Sequence, residues 1–188
     1  MLEVASLLIP RKPGRWRSLT AGAGVAAAVL AAALVCPTPA QASAAQGVIS
    51  GTGAVTDDFG DEATLSRYGQ YRYSTAVALW QRVLVAEGFL TDSGVDCDFG
   101  PATEAATVKF QQRYGLTADG VVGTQTWSKA DDFLVNEYQT VGYELIAYKS
   151  AKRVEEISFR RASSYYHTFL PGGRVWAMAY NTSASPYC

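Results

Sequence analysis

Two copies of one loop pattern constrain the fold of this chain most strongly. The pattern Asp-x-x-x-Gly-x-x-Thr begins at Asp96 and again, 23 residues later, at Asp119. In each copy the Asp can bond nearby backbone N–H groups and so turn the loop, and the Gly permits a close approach where a helix begins. The Thr falls in the first helical turn, where its hydroxyl can bond the backbone. The repeat therefore predicts two similar loop-to-helix corners on one side of a helical bundle.

Three helices are predicted around these corners. The first covers residues 74–88, with Ser74 or Thr75 as its candidate N-cap, and the second covers residues 100–115, with Pro101 at its first position. The third begins near Thr124 and continues into Phe133 or beyond. Apolar residues at helical spacing favour a core on their inner faces. These residues are Val77, Trp80, Leu84, Ala106, Phe110 and Trp127.

The last third of the chain has the pattern of a β-sheet. Residues 140–148, 155–168 and 174–181 alternate polar and apolar side chains and are rich in Tyr, Phe and Val. Pro171-Gly172-Gly173 is a strong turn signal between the last two segments. The predicted fold class is α+β: a small three-helix bundle followed by a three-stranded antiparallel β-meander packed on it.

The beginning of the chain has the composition of a secretory signal. A basic stretch precedes an apolar run at residues 21–35, and small-residue cleavage sites follow at Ala40-Gln41-Ala42 and Ala42-Ser43-Ala44. The alternative is a membrane anchor, but this run of about 15 residues is shorter than the roughly 20 that span a bilayer. The predicted organisation is a signal at 1–42, a disordered linker at 43–61, the helical domain at 62–135 and an aromatic β-extension at 136–188. Tyr68, Tyr71 and Tyr73 are expected to pack against the bundle.

Charge and cysteine content follow from that organisation. The whole chain has 16 basic and 17 acidic residues; loss of the four basic residues and one acid in 1–42 leaves 12 and 16, a net charge of −4. Such a chain is not expected to bind nucleic acid or a membrane non-specifically. Cys36 leaves with the signal, so Cys97 and Cys188 remain, and an even pair in an exported chain predicts a disulfide. The alternative is two free thiols.

The ordered motifs of the helical part resemble the peptidoglycan-binding-like domain family. They cover about 55 of the 188 residues, and they are Val77-x-x-Trp80-Gln81-x-x-Leu84, Gly88-Phe89, Asp96-x-x-Phe99-Gly100-Pro101-Ala102-Thr103-Glu104-x-Ala106, Phe110-Gln111, Tyr114-Gly115-Leu116, Asp119-Gly120-Val121-Val122-Gly123 and Thr126-Trp127. Three positions depart from the family pattern: Cys97 replaces a Gly, Thr124 a Pro and Thr107 an aliphatic residue. The resemblance implies a three-helix module that binds the cell wall.

Polar side chains near the two corners are the candidate contacts to peptidoglycan. Arg113 is the natural partner for a stem-peptide carboxylate. The full set of candidates is Asp98, Gln111, Arg113, Tyr114, Asp119 and Gln125. We expect a secreted, cell-wall-associated, monomeric protein that needs no cofactor or metal.

Catalysis has little support in the sequence. His167 is the only histidine, so a His-rich zinc site cannot be built, and a Cys–His pair would need a free thiol. Glu155 and Glu156 are adjacent, so on a strand they would face opposite sides. Two alternatives stay open. One is a secreted interaction or inhibitor protein that uses the module as a scaffold, and the other is a small cell-wall hydrolase with a carboxylate pair drawn from distant loops.

Overall fold

The computed structural model describes residues 47–169 and 175–180. Three α-helices come first: α1 (Thr75–Ala86), α2 (Pro101–Tyr114) and α3 (Thr124–Asp131). Short 3₁₀ turns lie at Val55–Asp57 and Asp92–Gly94. Five strands follow: β1 (Leu134–Thr140), β2 (Tyr143–Tyr148), β3 (Ile157–Ala162), β4 (Tyr165–Phe169) and β5 (Val175–Ala177). The predicted α+β class is confirmed. Within the described ranges, no helix is long and apolar enough to cross a membrane.

The helix boundaries follow from local chemistry. The Ser74 side chain caps α1 by accepting from the Val77 N–H at 3.3 Å, and Pro101 occupies the first position of α2. Gly115 ends α2 in the left-handed conformation, with φ 71°. The third helix ends at Asp131, so its predicted continuation into Phe133 or beyond is wrong. Leu134 is already paired with Tyr148 in the sheet, and this pairing draws the chain out of the helix.

The sheet has five antiparallel strands in chain order within the described residues, so the prediction of three strands is wrong. Residues 155–168, predicted as one strand, are a hairpin of β3 and β4 that turns at Ser163 and Ser164, with φ of 50° and 67°. Positive φ at both central residues is what a two-residue type I′ hairpin turn requires, and Gly or Asn usually supplies it. The Ser-Ser pair gave no such signal. Residues 134–140 add a further strand, β1, ahead of β2.

Three apolar side chains are buried in the described part of the segment predicted as a disordered linker. Ile49 and Phe59 are fully buried and Val55 is 9% exposed. The backbone N–H of Ile49 donates to the Met178 carbonyl at 2.7 Å. A few well-spaced apolar side chains therefore anchor a stretch whose overall composition is that of a tether. The predicted signal at 1–42 and Cys188 lie outside the described residues.

Edge-to-face aromatic contacts join the helices and the sheet in one core. Trp127 of α3 lies 5.4 Å from Trp80 of α1 and 5.5 Å from Phe59, measured between ring centroids. Phe59 in turn lies 5.1 Å from Tyr166 of β4. Such contacts contribute about 0.5–1.5 kcal/mol each beyond area burial. Phe59, from the segment predicted as a linker, thus connects a helix to a strand.

Asp131 should make stability fall as the pH rises. Burial, together with the nearby carboxylates of Asp132, Asp57 and Asp58, raises the pKa of Asp131 to about 7, against 3.8 for a free Asp. The folded state therefore keeps this proton to a higher pH than the unfolded chain, and folding becomes less favourable between about pH 4 and pH 7.

We expect Asp131→Asn to raise the free energy of unfolding at pH 8 by on the order of 1 kcal/mol or more, with little gain at pH 4. In the wild type the Phe59 N–H donates to Asp131 Oδ2 at 2.9 Å, and the Asn side-chain oxygen can accept the same hydrogen bond. Urea titrations at both pH values would measure this effect, with Asp92→Asn as the control because the Asp92 side chain is 72% exposed. An equal gain at the two pH values would contradict the assignment.

Candidate functional site: the two repeat loops of the helical module

A buried glutamine on α1 binds the first repeat loop, residues 96–103. The Gln81 side-chain amide donates to Asp96 Oδ1 at 2.7 Å, to the Asp98 carbonyl at 3.0 Å and to Thr103 Oγ1 at 2.9 Å. Its oxygen accepts from the backbone N–H groups of Asp96 and Cys97, at 3.0 and 2.9 Å. One fully buried side chain thereby satisfies donors and acceptors on both sides of the loop.

A second glutamine on α2 binds the second repeat loop, residues 119–126, in the same way. The Gln111 amide donates to Asp119 Oδ1 at 2.8 Å, to the Val121 carbonyl at 2.9 Å and to Thr126 Oγ1 at 3.1 Å. Its oxygen accepts from the Gly120 N–H at 2.9 Å. Each loop position corresponds to one in the first loop at the 23-residue offset. The sequence repeat is therefore a repeat of hydrogen bonding, with one glutamine for each loop.

At Cys97, where the family pattern has a Gly, the side chain differs but the backbone conformation is the same as in the second loop. Cys97 has φ 61°, and the corresponding Gly120 has φ 73°. A left-handed residue other than Gly, Asn or Asp is uncommon and costs free energy. Cys97 is nevertheless 5% exposed and held by Gln81 through its N–H. Since Cys188 lies outside the described residues, the Cys97–Cys188 disulfide stays a prediction.

The structure divides the six candidate residues between two places. Asp98, Asp119 and Gln125 lie on the repeat loops, where Asp119 and Gln125 are exposed and Asp98 is half-buried. Asp98 is bound by the Arg72 guanidinium through two hydrogen bonds of 2.7 and 3.1 Å. Gln111 is 1% exposed and directs its amide into the loop. Gln111 therefore holds the second repeat loop in place from inside and does not form part of the exposed surface of the candidate site.

The other two candidates, Arg113 and Tyr114, belong to a buried cluster around Glu87. Glu87 is fully buried, and its carboxylate accepts from Arg113 Nη1 at 2.7 Å, from the Tyr114 hydroxyl at 2.8 Å and from the Tyr148 hydroxyl at 2.7 Å. Tyr114 also lies 2.6 Å from Ser150 Oγ. These contacts join the end of α1 to α2 and β2. Arg113 therefore already has a carboxylate partner within the fold.

The Glu87 cluster is held charged by hydrogen bonds. Burial alone would raise the pKa of Glu87, but bonds from Tyr148, Ser150, Tyr114 and Arg113 outweigh it, and the pKa is lowered. Burial raises the pKa of Tyr114 to about 12, and the adjacent Glu87 carboxylate adds to this effect. The cluster therefore consists of an ionised carboxylate and neutral phenols, which suits a structural junction. Glu87 was not predicted as a site residue, because its place at a predicted helix end gives no signal of burial.

A carboxylate pair from distant parts of the chain does meet, around Arg161 of β3. Arg161 is 6% exposed and pairs with Asp58 through Nη1 and with Glu144 through Nε. Burial raises the pKa of Asp58, whose side chain is completely enclosed. With both carboxylates bonded to one buried guanidinium, this cluster has the geometry of a structural ion pair. Among the described residues, no group of three or more His, Cys, Asp or Glu is placed to hold a metal ion.

Two relatives are found among known proteins. The chain is 34% identical to a zinc D-Ala-D-Ala carboxypeptidase of Streptomyces albus G over 112 residues, which are 57% of this chain and 39% of that protein. It is 57% identical to an uncharacterized protein in the bpoA1 3′ region of Kitasatospora aureofaciens over 37 residues, 20% of this chain and 31% of that protein. The chain thus spans well under two thirds of either relative. No solved structure matches it.

A family model also matches the helical module itself. A family described as "Putative peptidoglycan binding domain" matches residues 73–129. That range contains α1, α2 and both repeat loops, together with the two glutamines that bind them. The resemblance predicted from the ordered motifs is therefore confirmed over residues 73–129, which match the model of this family.

Proposed function

We propose that this protein is a secreted, non-catalytic, monomeric protein that binds peptidoglycan through its helical module. The family match over residues 73–129 carries the proposal. Its support from geometry is the pair of repeat loops, which are fixed from inside by Gln81 and Gln111 and leave the polar side chains of Asp119 and Gln125 exposed. Rigid loops with outward polar groups suit a ligand made of sugar hydroxyls and amides, because little order must be gained on binding.

The surroundings of the buried acids support a binding role over catalysis. Each buried carboxylate bonds to groups of the fold: Asp58, Glu62, Glu87 and Asp131. A general acid or base must come within hydrogen-bond reach of the substrate, and these side chains are enclosed. His167 lies near a strand carbonyl, with its Nδ1 3.0 Å from the Tyr165 oxygen.

Co-sedimentation with purified, insoluble peptidoglycan tests the proposal. The chain without residues 1–42 should appear in the pellet with peptidoglycan and stay in the supernatant with insoluble cellulose, which serves as the control polymer. Binding should persist at 0.15 M salt, where exposed charges are largely screened. Recovery of all the protein in the supernatant, in the presence of peptidoglycan at low and moderate salt, would contradict the proposal.

A small cell-wall hydrolase is the second candidate, favoured by the identity to the Streptomyces albus G carboxypeptidase. The same incubation separates the two functions, because a hydrolase releases soluble muropeptides or free D-alanine over time. Absence of both products during prolonged incubation, with protein still bound in the pellet, is the result expected here. A secreted interaction protein would instead remain in the supernatant and retain a protein partner.

A further inference from the structure

Two tyrosines immediately before α1 are held on the surface. Tyr68 is 82% exposed and Tyr73 is 63% exposed, whereas Tyr71 between them packs against Tyr180 with ring centroids 4.8 Å apart. The expectation that all three tyrosines pack inward is therefore met by Tyr71 alone. Large aromatic side chains contribute most when buried, so two exposed rings on one short segment need an explanation.

Each exposed ring lies under an arginine. The guanidinium carbon of Arg72 is 4.8 Å from the ring centroid of Tyr73, and that of Arg67 is 5.2 Å from the ring centroid of Tyr68. These four residues, Arg67, Tyr68, Arg72 and Tyr73, are called the tyrosine–arginine surface below. A cation over one face of a ring restricts the ring and leaves the opposite face open.

The arginines are themselves fixed to the module. Arg72 binds both carboxylate oxygens of Asp98 in the first repeat loop, and Arg67 binds Glu104 of α2 at 3.3 Å. The carboxylate of Glu104 belongs to a side chain that also lies beside the second repeat loop, since its Cγ is 3.0 Å from where a Cβ on Gly120 would stand. The tyrosine–arginine surface is thus attached to the side of the module that presents the loops.

The charges on this surface cancel. Two guanidinium groups are matched by the carboxylates of Asp98 and Glu104. A ligand held through phosphates needs unneutralised basic groups, so nucleic acid and anionic polymers are poor candidates. A stable protein interface buries about 800 Å² per partner, more than two tyrosines offer. A neutral ligand with flat apolar faces and hydroxyl edges fits best, and a pyranose ring has that form.

We propose that the tyrosine–arginine surface is a sugar-stacking subsite that binds the glycan strand of peptidoglycan. This inference rests on the proposed function and names the part of the polymer bound. Tyr68 and Tyr73 present their open faces to the C–H faces of two sugar rings. The guanidinium edges of Arg67 and Arg72, each one third exposed or less, supply donors to ring hydroxyls and acetamido oxygens. Tyr rings provide such area with little conformational entropy to lose.

Binding of peptide-free glycan strands to the whole chain tests the inference. Tyr68→Ala/Tyr73→Ala should weaken affinity for these strands by roughly tenfold or more, the size expected for loss of an aromatic binding residue. Tyr138→Ala is the matched control, because Tyr138 on β1 is 56% exposed and lies outside the surface. Tyr68→Phe/Tyr73→Phe should bind within about threefold of the wild type, since the stacking faces remain.

Two results with the glycan strands that do bind would overturn the inference. The first is equal affinity of the wild type and the double Ala variant for glycan strands. The second is an absence of changes in the Tyr68 and Tyr73 ring resonances when the wild type is titrated with the strands, a readout that needs no variant to fold. Failure of the proposed function looks different, because the wild type would then not sediment with intact peptidoglycan at all. Sedimentation without binding to peptide-free strands overturns the subsite alone.

Discussion

Glu87→Ala is expected to lower the free energy of unfolding by about 3–5 kcal/mol, the range for removing one partner of a buried ion pair. The Glu87 side chain is completely buried, and Arg113 is only 27% exposed. The substitution also leaves the Tyr148 hydroxyl, 2.7 Å from Glu87 Oε1, without this acceptor in a fully buried position. Because Glu87 joins α1, α2 and β2, its removal should lower the cooperativity of unfolding between the helical module and the sheet. It should also lower the urea concentration at the midpoint of unfolding.

The same carboxylate should make the protein sensitive to acid. Hydrogen bonds lower the pKa of Glu87 below 4.5, the value for a free Glu. A group with a lowered folded pKa contributes stability that is fully present above its unfolded pKa and is lost as the pH falls through its folded pKa. The wild type should therefore lose this contribution below about pH 4.5, and Glu87→Ala should show a flatter pH dependence there.

Urea unfolding from pH 3 to pH 7, followed by circular dichroism, measures both effects. Glu156→Ala is the control, since Glu156 is exposed in the loop before β3; it should shift the free energy of unfolding by less than about 0.5 kcal/mol. A Glu87→Ala protein as stable as this control at pH 7 would show that the cluster does not hold the module to the sheet.

Those features of the fold that depend on local residue chemistry were predictable from the sequence. The helical module was predictable from the repeat that begins at Asp96 and Asp119 and from the proline at the start of α2. Apolar residues at helical spacing on each helix, such as Trp80 on α1 and Phe110 on α2, indicated its core, and the ordered motifs indicated the family whose model matches. The class α+β followed from the change of period after the helices. In each case the signal lies within a few residues of the element that it predicts.

The features that were missed depend on contacts between distant residues. Ile49 and Phe59 lie in a stretch with the composition of a tether, and they are buried because they contact residues more than 65 positions away, such as Trp127 and Tyr166. The turn at Ser163 adopts positive φ without a glycine, because pairing of β3 with β4 on either side fixes it. Arg113 was assigned to a ligand because nothing local indicates that Glu87, 26 residues away, occupies it.

The candidate site shows the same division on a smaller scale. The loops that carry Asp98, Asp119 and Gln125 were found from the repeat, yet the direction of each side chain was not. Gln111 looked like a polar surface residue, but its amide is consumed by the loop that follows. Conversely, Tyr68 and Tyr73 looked like core and are exposed. In a segment without helix or strand periodicity, the residue type alone does not show whether a polar or aromatic side chain points into the core or into solvent.

Gln111→Ala is expected to lower the free energy of unfolding by about 3 kcal/mol. The change leaves the buried Gly120 N–H without its acceptor, which costs about 1–3 kcal/mol, and opens a small cavity under the second repeat loop. Gln111→Glu should be at least as damaging at neutral pH, because a carboxylate cannot donate to Asp119 Oδ1 or to the Val121 carbonyl and would repel both.

The neighbouring residue provides the control for this prediction. Gln112 lies on the exposed face of α2, so Gln112→Ala should be within about 0.5 kcal/mol of the wild type. Thermal and urea unfolding would compare the three variants, and amide hydrogen exchange would test the location, with faster exchange expected at Gly120 and Val121 in Gln111→Ala. The prediction is contradicted if Gln111→Ala is as stable as Gln112→Ala, or if its second loop exchanges no faster than in the wild type. The loop would then keep its shape through the Asp119 turn and the hydrogen bond from Thr126 to the Val121 carbonyl, and Gln111 would not be what positions the candidate site.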